Sequence, residues 1–375
     1  MKTVLIYALV SILFIACSKE DESIIIPSYS EDNILKSESE KLIAYVEKYG
    51  NIIQDAKAPF LIDAEEINSN FKNSQYHIID IRNTDFFQAG HIPGAKNVEF
   101  KNLLNYFSNN INPYMFQKIV IVCYSGQMSA YYSGLLRLAG YSNVYSMRWG
   151  MSSWNKDFAK DFWMKNTSNK YAPYFVKENT EKQAPQNLPE IKTDQKSASK
   201  ILESRISYLF TEDAAFKANI EDVFANQNLY YILSFWSKSK YDAAHINGSV
   251  NYEPLKDLQL NTLLRTLPTD KQIVVYCGTG QYSAFVVAYL RTLGYDAKSV
   301  LFGANGMIYD KMKEYGWPVF NAEENVNDFE YAEGENDKNF FDELSVPVQT
   351  SKISSPATKS KSGENKKKSV QGGCS

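Results

Sequence analysis

The sequence predicts an α/β protein made of two tandem domains of one plan. Three observations carry that reading: the chain repeats itself, each copy alternates short apolar runs with helix-spaced stretches, and the composition can fill two cores. Gly90-His91-Ile92-Pro93-Gly94-Ala95-Lys96-Asn97 returns as Ala244-His245-Ile246-Asn247-Gly248-Ser249-Val250-Asn251, and Ile121 to Ala130 returns as Val275 to Ala284, both at an offset of 154 residues. Two copies, each large enough to enclose a core, mean tandem domains and not a solenoid of small repeats. With 375 residues, 44% of them hydrophobic and 14% aromatic, the chain has apolar side chains enough for both.

Taken in order, Lys2 and the apolar run Val4 to Ala16 come first. The run is shorter than the roughly 20 residues a membrane-spanning helix needs, so it reads as a signal peptide. It ends in Phe14-Ile15-Ala16-Cys17, which resembles the bacterial lipobox and implies lipidation of Cys17. Ser18-Lys19-Glu20-Asp21-Glu22 resembles the short acidic signal of surface-directed lipoproteins. The expected location is the bacterial cell envelope, with a lipid anchor to the outer membrane.

The expected organisation is a signal peptide and lipobox at residues 1–17, a flexible spacer at 18–35, a first domain at 36–166, a Pro-punctuated linker at 167–195, a second domain at 196–322 and a disordered tail at 323–375, acidic and then Lys/Ser-rich. In the first domain, Tyr76–Ile81 and Lys118–Cys123 are apolar runs of the kind parallel strands show when both faces are covered, and Ser129–Ala139 has helical spacing. The second domain repeats this with strands at Leu229–Leu233 and Gln272–Tyr276 and a helix at Ser283–Thr292. Arg137 and Arg291, near the ends of the two helices, are expected to cap the last carbonyls.

Several function classes drop out. A net charge of −3, from 40 Lys+Arg against 43 Asp+Glu, gives no basic footprint for nucleic acid. A mean hydropathy of −0.37 is too low for a polytopic membrane protein. Cys17, Cys123, Cys277 and Cys374 lie too far apart for a disulfide framework or a CxxC pair, and three histidines make a His-based metal site a poor fit, so neither metal nor cofactor is expected.

The chemistry concentrates where a buried strand turns into a helix. In both copies the strand runs into a cysteine, Cys123 or Cys277, followed by a short loop and a helix N-terminus. The first loop is Tyr124-Ser125-Gly126-Gln127-Met128-Ser129 and the second Gly278-Thr279-Gly280-Gln281-Tyr282-Ser283. Loop amides and the helix dipole converge on the sulfur, which favours thiolate and would also cradle an anion. Such a thiolate attacks soft sulfur without a separate base.

Asp80-Ile81-Arg82, the Gly90 to Ala95 turn and Cys123-x-x-Gly126-x-x-Ser129 together resemble the rhodanese (sulfurtransferase) domain. Met147-Arg148-Trp149-Gly150-Met151-Ser152-Ser153-Trp154 is similar to that family's closing Gly-Gly-x-x-x-Trp segment, with Trp149 in place of the first glycine. The resemblance implies a five-stranded parallel sheet with helices on both faces in each domain. It also implies a cysteine persulfide that moves sulfane sulfur from a small anionic donor, thiosulfate or another, to a thiol-type acceptor. Asp80, Arg82 and His91 are expected to brace the loops. Many active members carry Arg just before the loop serine, where this chain has Met128 and Tyr282. The second copy has Ser234 and Trp236 in place of Asp80 and Arg82, so Cys123 is expected to be the leading nucleophile and Cys277 secondary. Cys374, behind a tail that samples on the order of 40 Å, is a further candidate sulfur acceptor. The alternative function is a non-catalytic, surface-exposed binding or regulatory module. A phosphatase of this fold would need Cys-x5-Arg, and the chain has Ser129 and Ser283 where that arginine would stand.

Overall fold

The computed structural model describes residues 37–50, 52–53, 60–212 and 215–335, so the signal segment, Cys17, the end of the tail and Cys374 lie outside the described residues. Each copy folds around a five-stranded sheet whose strands are all parallel. The first contains β1 (Leu61–Ile62), β2 (Tyr76–Asp80), β3 (Lys96–Asn97), β4 (Lys118–Val122) and β5 (Val144–Met147), in the order β1-β5-β4-β2-β3. The linker supplies β6 (Phe175–Val176). The second domain contributes β7 (Lys217–Ala218), β8 (Tyr230–Ser234), β9 (His245–Ile246), β10 (Val250–Asn251), β11 (Gln272–Tyr276) and β12 (Ala297–Val300). Its sheet order, β7-β12-β11-β8-β10, copies the first strand for strand.

The apolar runs read from the sequence are the central strands. Ile119, Val120, Ile121 and Val122 of β4 are wholly buried, as are Ile273, Val274, Val275 and Tyr276 of β11, because helices cover both faces. Register places Asp80 opposite Val122 and Ser234 opposite Tyr276. Strands β2 and β4 therefore end flush, as do β8 and β11, and the residues after them gather at one carboxyl edge of each sheet, where open α/β sheets bind ligands.

The domains pack through the two helices that follow the cysteine loops, Gln127–Leu138 and Gln281–Thr292. They cross so closely at Gly134 that a Cβ there would lie 2.9 Å from the Cβ of Ala288. Around the crossing, Tyr131 stacks on Phe216 with ring centres 4.0 Å apart and Phe60 on Phe285 at 4.1 Å, which joins the two domains in one apolar cluster.

Two expectations are corrected. The tail does not become structureless at residue 323: the Asn327 amide donates to Ser153 O (3.0 Å), the Trp154 indole to Glu330 O (2.9 Å), and His91 and Ala332 form an antiparallel bridge. Phe329 and Tyr331, packed against Trp154 and Phe158, supply the apolar contact that the acidic composition of the segment conceals. In the same way β6 of the linker pairs antiparallel with β9 of the second domain. The segment following each domain thus crosses over the other. Second, Arg137 and Arg291 do not cap their helices. Arg137 Nε donates to Val144 O (2.6 Å) and Arg291 NH1 to Ala297 O (3.2 Å), at the first residues of β5 and β12, and Arg291 also pairs with Glu212. The strand lies beside the helix end, so the long side chains find its carbonyls first.

Candidate functional site

Each loop cysteine sits where its central strand ends. Glycines Gly126 and Gly280, at φ 81° and 78°, turn the chain into the following helix as its N-cap. The Ser129 amide then donates to Cys123 Sγ at 3.3 Å, and the Ser283 amide to Cys277 Sγ at 3.3 Å. A hydroxyl relay follows in both copies. Ser129 Oγ lies 3.3 Å from Cys123 Sγ and 2.8 Å from Ser146 Oγ, while Ser283 Oγ lies 3.5 Å from Cys277 Sγ and 2.9 Å from Ser299 Oγ. Ser146 and Ser299 are absent from the sequence reading, and their recurrence on β5 and β12 was the available signal. Gly150 and Gly303 close the site from behind, so near that an added Cβ would stand 2.4 Å from Cys123 O and 2.3 Å from Cys277 O.

The loops also hold one another. Gln127, wholly buried, reaches into the second domain and accepts a hydrogen bond from the Phe302 amide at 2.6 Å. Gln281 returns the reach into the first, against Gly126, where its amide is buried.

In front of the sulfurs the two copies diverge. Over the first loop, the Trp163 indole donates to Ser125 O at 3.0 Å, and Tyr124 stacks on Phe162 with centres 4.6 Å apart. Beneath them Asp80 and Arg82 form a buried pair at 2.7 Å, and Arg82 donates to Gly90 O at 2.6 Å. The expected bracing role of Asp80 and Arg82 is therefore what the side chains do. His91 Nδ1, 2.8 Å from Phe87 O, anchors the same turn.

Over the second loop, Trp236 stands in place of Arg82 and Trp317 packs against it, ring centres 5.0 Å apart. A cavity of about 510 Å³ opens there, lined by Cys277, Gly278, Thr279 and Tyr282 of the loop. Its walls are largely apolar, with aromatic rings beside aliphatic side chains, and the first domain contributes Phe60, Arg148 and Trp149 among them. Two cations line it, Arg148 and Lys240, and no acidic residue does among the described residues. Burial pushes the Lys240 amine below the usual lysine range, while the charge of Cys277 pulls it partly back. Burial raises the Tyr282 phenol, which the Arg148 charge offsets in part. Trp149 takes the left-handed backbone (φ 62°) of the glycine it replaces. That strain, of order 1–3 kcal/mol, is held by its packing against Trp163 and Phe320. Lys240, Arg148 and Trp317 are site residues that sequence reasoning missed; Trp236 was read there as a loss.

The family model of the rhodanese-like domain matches residues 63–157 and 215–307. The chain belongs to this family. It contains two rhodanese-like domains, and each match takes in one complete cysteine loop. Among curated proteins the chain is similar to a thiosulfate sulfurtransferase GlpE of Pseudoalteromonas translucida, 34% identical over 83 residues, which span 22% of this chain and 76% of that protein. A second, from Shewanella oneidensis, is 35% identical over 79 residues, covering 21% and 75%. Among solved structures, a rhodanese-related protein from Thermoplasma volcanium is 24% identical, with a TM-score of 0.21, over 28% of this chain and 96% of that one. Each of the two rhodanese-like domains is built on a parallel five-stranded sheet flanked by helices. Among the described residues no cluster of His, Cys, Asp or Glu could hold a metal, and no helix is long and apolar enough to cross a membrane.

Proposed function

We propose that this rhodanese-like protein is a sulfurtransferase and that Cys277, not Cys123, is its working nucleophile. The observation that supports this reading most is the cavity on Cys277, which admits a donor beside two cations, while aromatic side chains brace and cover the first loop. The Cys277 thiolate attacks the outer sulfur of an anionic donor. A bond forms between Cys277 Sγ and that sulfur, the donor's own bond to it breaks, and the remainder leaves as an anion with the bonding pair. The Ser283 amide and the helix behind it favour negative charge at the thiolate and then at the persulfide. Lys240 and Arg148 offset the charge of the incoming donor. An acceptor thiolate then takes the outer sulfur and restores Cys277.

The ranking from sequence is thereby reversed. Ser234 and Trp236 do not mark a decayed copy in this reading; they remove an ion pair, and Trp236 becomes a wall of the cavity. Steady-state sulfur transfer from thiosulfate or polysulfide to a thiol or cyanide acceptor tests it. Cys277→Ser is expected to abolish turnover and Cys123→Ser to leave most of it. Turnover that survives in Cys277→Ser and disappears in Cys123→Ser contradicts the assignment.

The lipobox-like Phe14-Ile15-Ala16-Cys17 supports a lipid anchor at Cys17 in the outer membrane, where acyl chains would hold the domains. Wild-type protein recovered with membranes, and Cys17→Ala protein released or left unprocessed, is the expected result. Wild-type protein free in the periplasm or medium contradicts it.

A further inference from the structure

We infer that the Cys277 site is built for an organic sulfane-sulfur anion with an apolar body, R–SO2–S⁻ or R–S–S⁻, and that the first domain supplies part of its specificity. The inference rests on the sulfurtransferase reading and adds the class of donor. A cavity of about 510 Å³ falls in the range that binds organic ligands, roughly 300–1,000 Å³. A thiosulfate ion brings no apolar surface to such walls. Phe60, Trp149, Trp236, Phe285 and Trp317 present ring surface to the space, and such surface is left in water's company unless an apolar group covers it.

The polar groups fix which end goes where. The sulfur to be transferred must meet Cys277 Sγ at the loop. Lys240, half-buried with its Nζ 6.0 Å from the Trp317 ring centre, has no carboxylate partner among the described residues, so its charge is available to a ligand. Arg148 holds Asp63 through Nε at 2.5 Å, which steadies the guanidinium at the cavity wall and leaves its outer nitrogens for an anion. Phe60, Arg148 and Trp149 all come from the first domain, so the donor is read by both copies although the sulfur lands on one. The transfer balances as written: for R–SO2–S⁻ the bond between sulfonyl sulfur and outer sulfur breaks, Cys277 Sγ–S forms, and R–SO2⁻ leaves with the electron pair.

The test compares two thiosulfonate anions that share the sulfonyl leaving chemistry and differ in body, benzenethiosulfonate and methanethiosulfonate. Sulfur loading of the full chain is followed by intact mass, and each rate is divided by that of a free model thiol with the same donor. A preference of ten-fold or more for the benzene compound is expected. In Trp317→Ala the ratio of the two normalised rates should fall several-fold, and Arg148→Gln should slow loading from both. Equal normalised rates in the wild type, or a preference untouched by Trp317→Ala, overturn the inference but leave the sulfurtransferase reading standing. No loading of Cys277 by either donor or by inorganic polysulfide overturns both.

Discussion

Lys240 stands in the second domain at the repeat position that Phe86 holds in the first. Phe86 packs edge-on to Tyr124 and helps cover its loop, whereas Lys240 lines the open cavity. A hydrogen bond to a charged group contributes about 1.5–3 kcal/mol, so Lys240→Gln is expected to raise the donor KM about ten-fold or more. The pH profile carries the same signature. Because burial sets the Lys240 amine below the ordinary lysine range, wild-type donor affinity should weaken as pH climbs through that lowered value, and Lys240→Gln should be flat there. Kinetics of loading against pH in both proteins check this. Asp80 and Arg82 invite a second prediction. Both are buried, and removing one charge leaves the other unpaired, which costs about 3–5 kcal/mol. Asp80→Asn should lower the unfolding free energy measured by chemical denaturation by that amount while leaving Cys277 loading nearly unchanged.

The helix pair Gln127–Leu138 and Gln281–Thr292 joins the copies and carries both loops at its N-termini, so packing there bears on the site. Gly134 is the point of closest approach. Gly134→Val must push against Ala288 and Phe285, and overpacking of this kind costs about 1–3 kcal/mol; urea unfolding should show the loss. These elements also show what could be read in advance. The central strands and both helices were legible because full burial writes itself as an unbroken apolar run, and the loops because the repeat kept Cys, Gly, Gln and Ser in register. Helix starts were placed two residues late, at Ser129 and Ser283, since Gln127 and Gln281 look like loop residues until each is seen buried against the other domain. Arg137 and Arg291 were misread because a carbonyl on a neighbouring strand leaves no local trace. The cavity was not legible at all: its walls come from segments far apart in the chain, and Trp236 acquires its meaning only beside Trp317.

Across the whole molecule, the crossing segments after each domain and the shared aromatic cluster couple the copies, so stability should respond to single buried groups on either side. His77, on β2 of the first sheet and buried beside Tyr106 (3.0 Å), is pushed down to about 4 by burial, against 6.5 for a free histidine. A depressed histidine value means that the folded state holds the neutral ring. The associated stability is complete above pH 6.5 and is lost as pH falls toward about 4, by about 3 kcal/mol in the limit. Equilibrium unfolding from pH 7 to pH 4 should show this decline, and His77→Phe should reduce it.

The central claim is that sulfur rides on the second copy of the duplicated loop. Loading the full chain from a sulfane-sulfur donor, trapping the persulfide by alkylation and mapping it by peptide mass places the added sulfur directly. The expected product carries it on Cys277, with Cys123 still a thiol under its aromatic cover. A persulfide found on Cys123 with Cys277 unmodified would contradict the account.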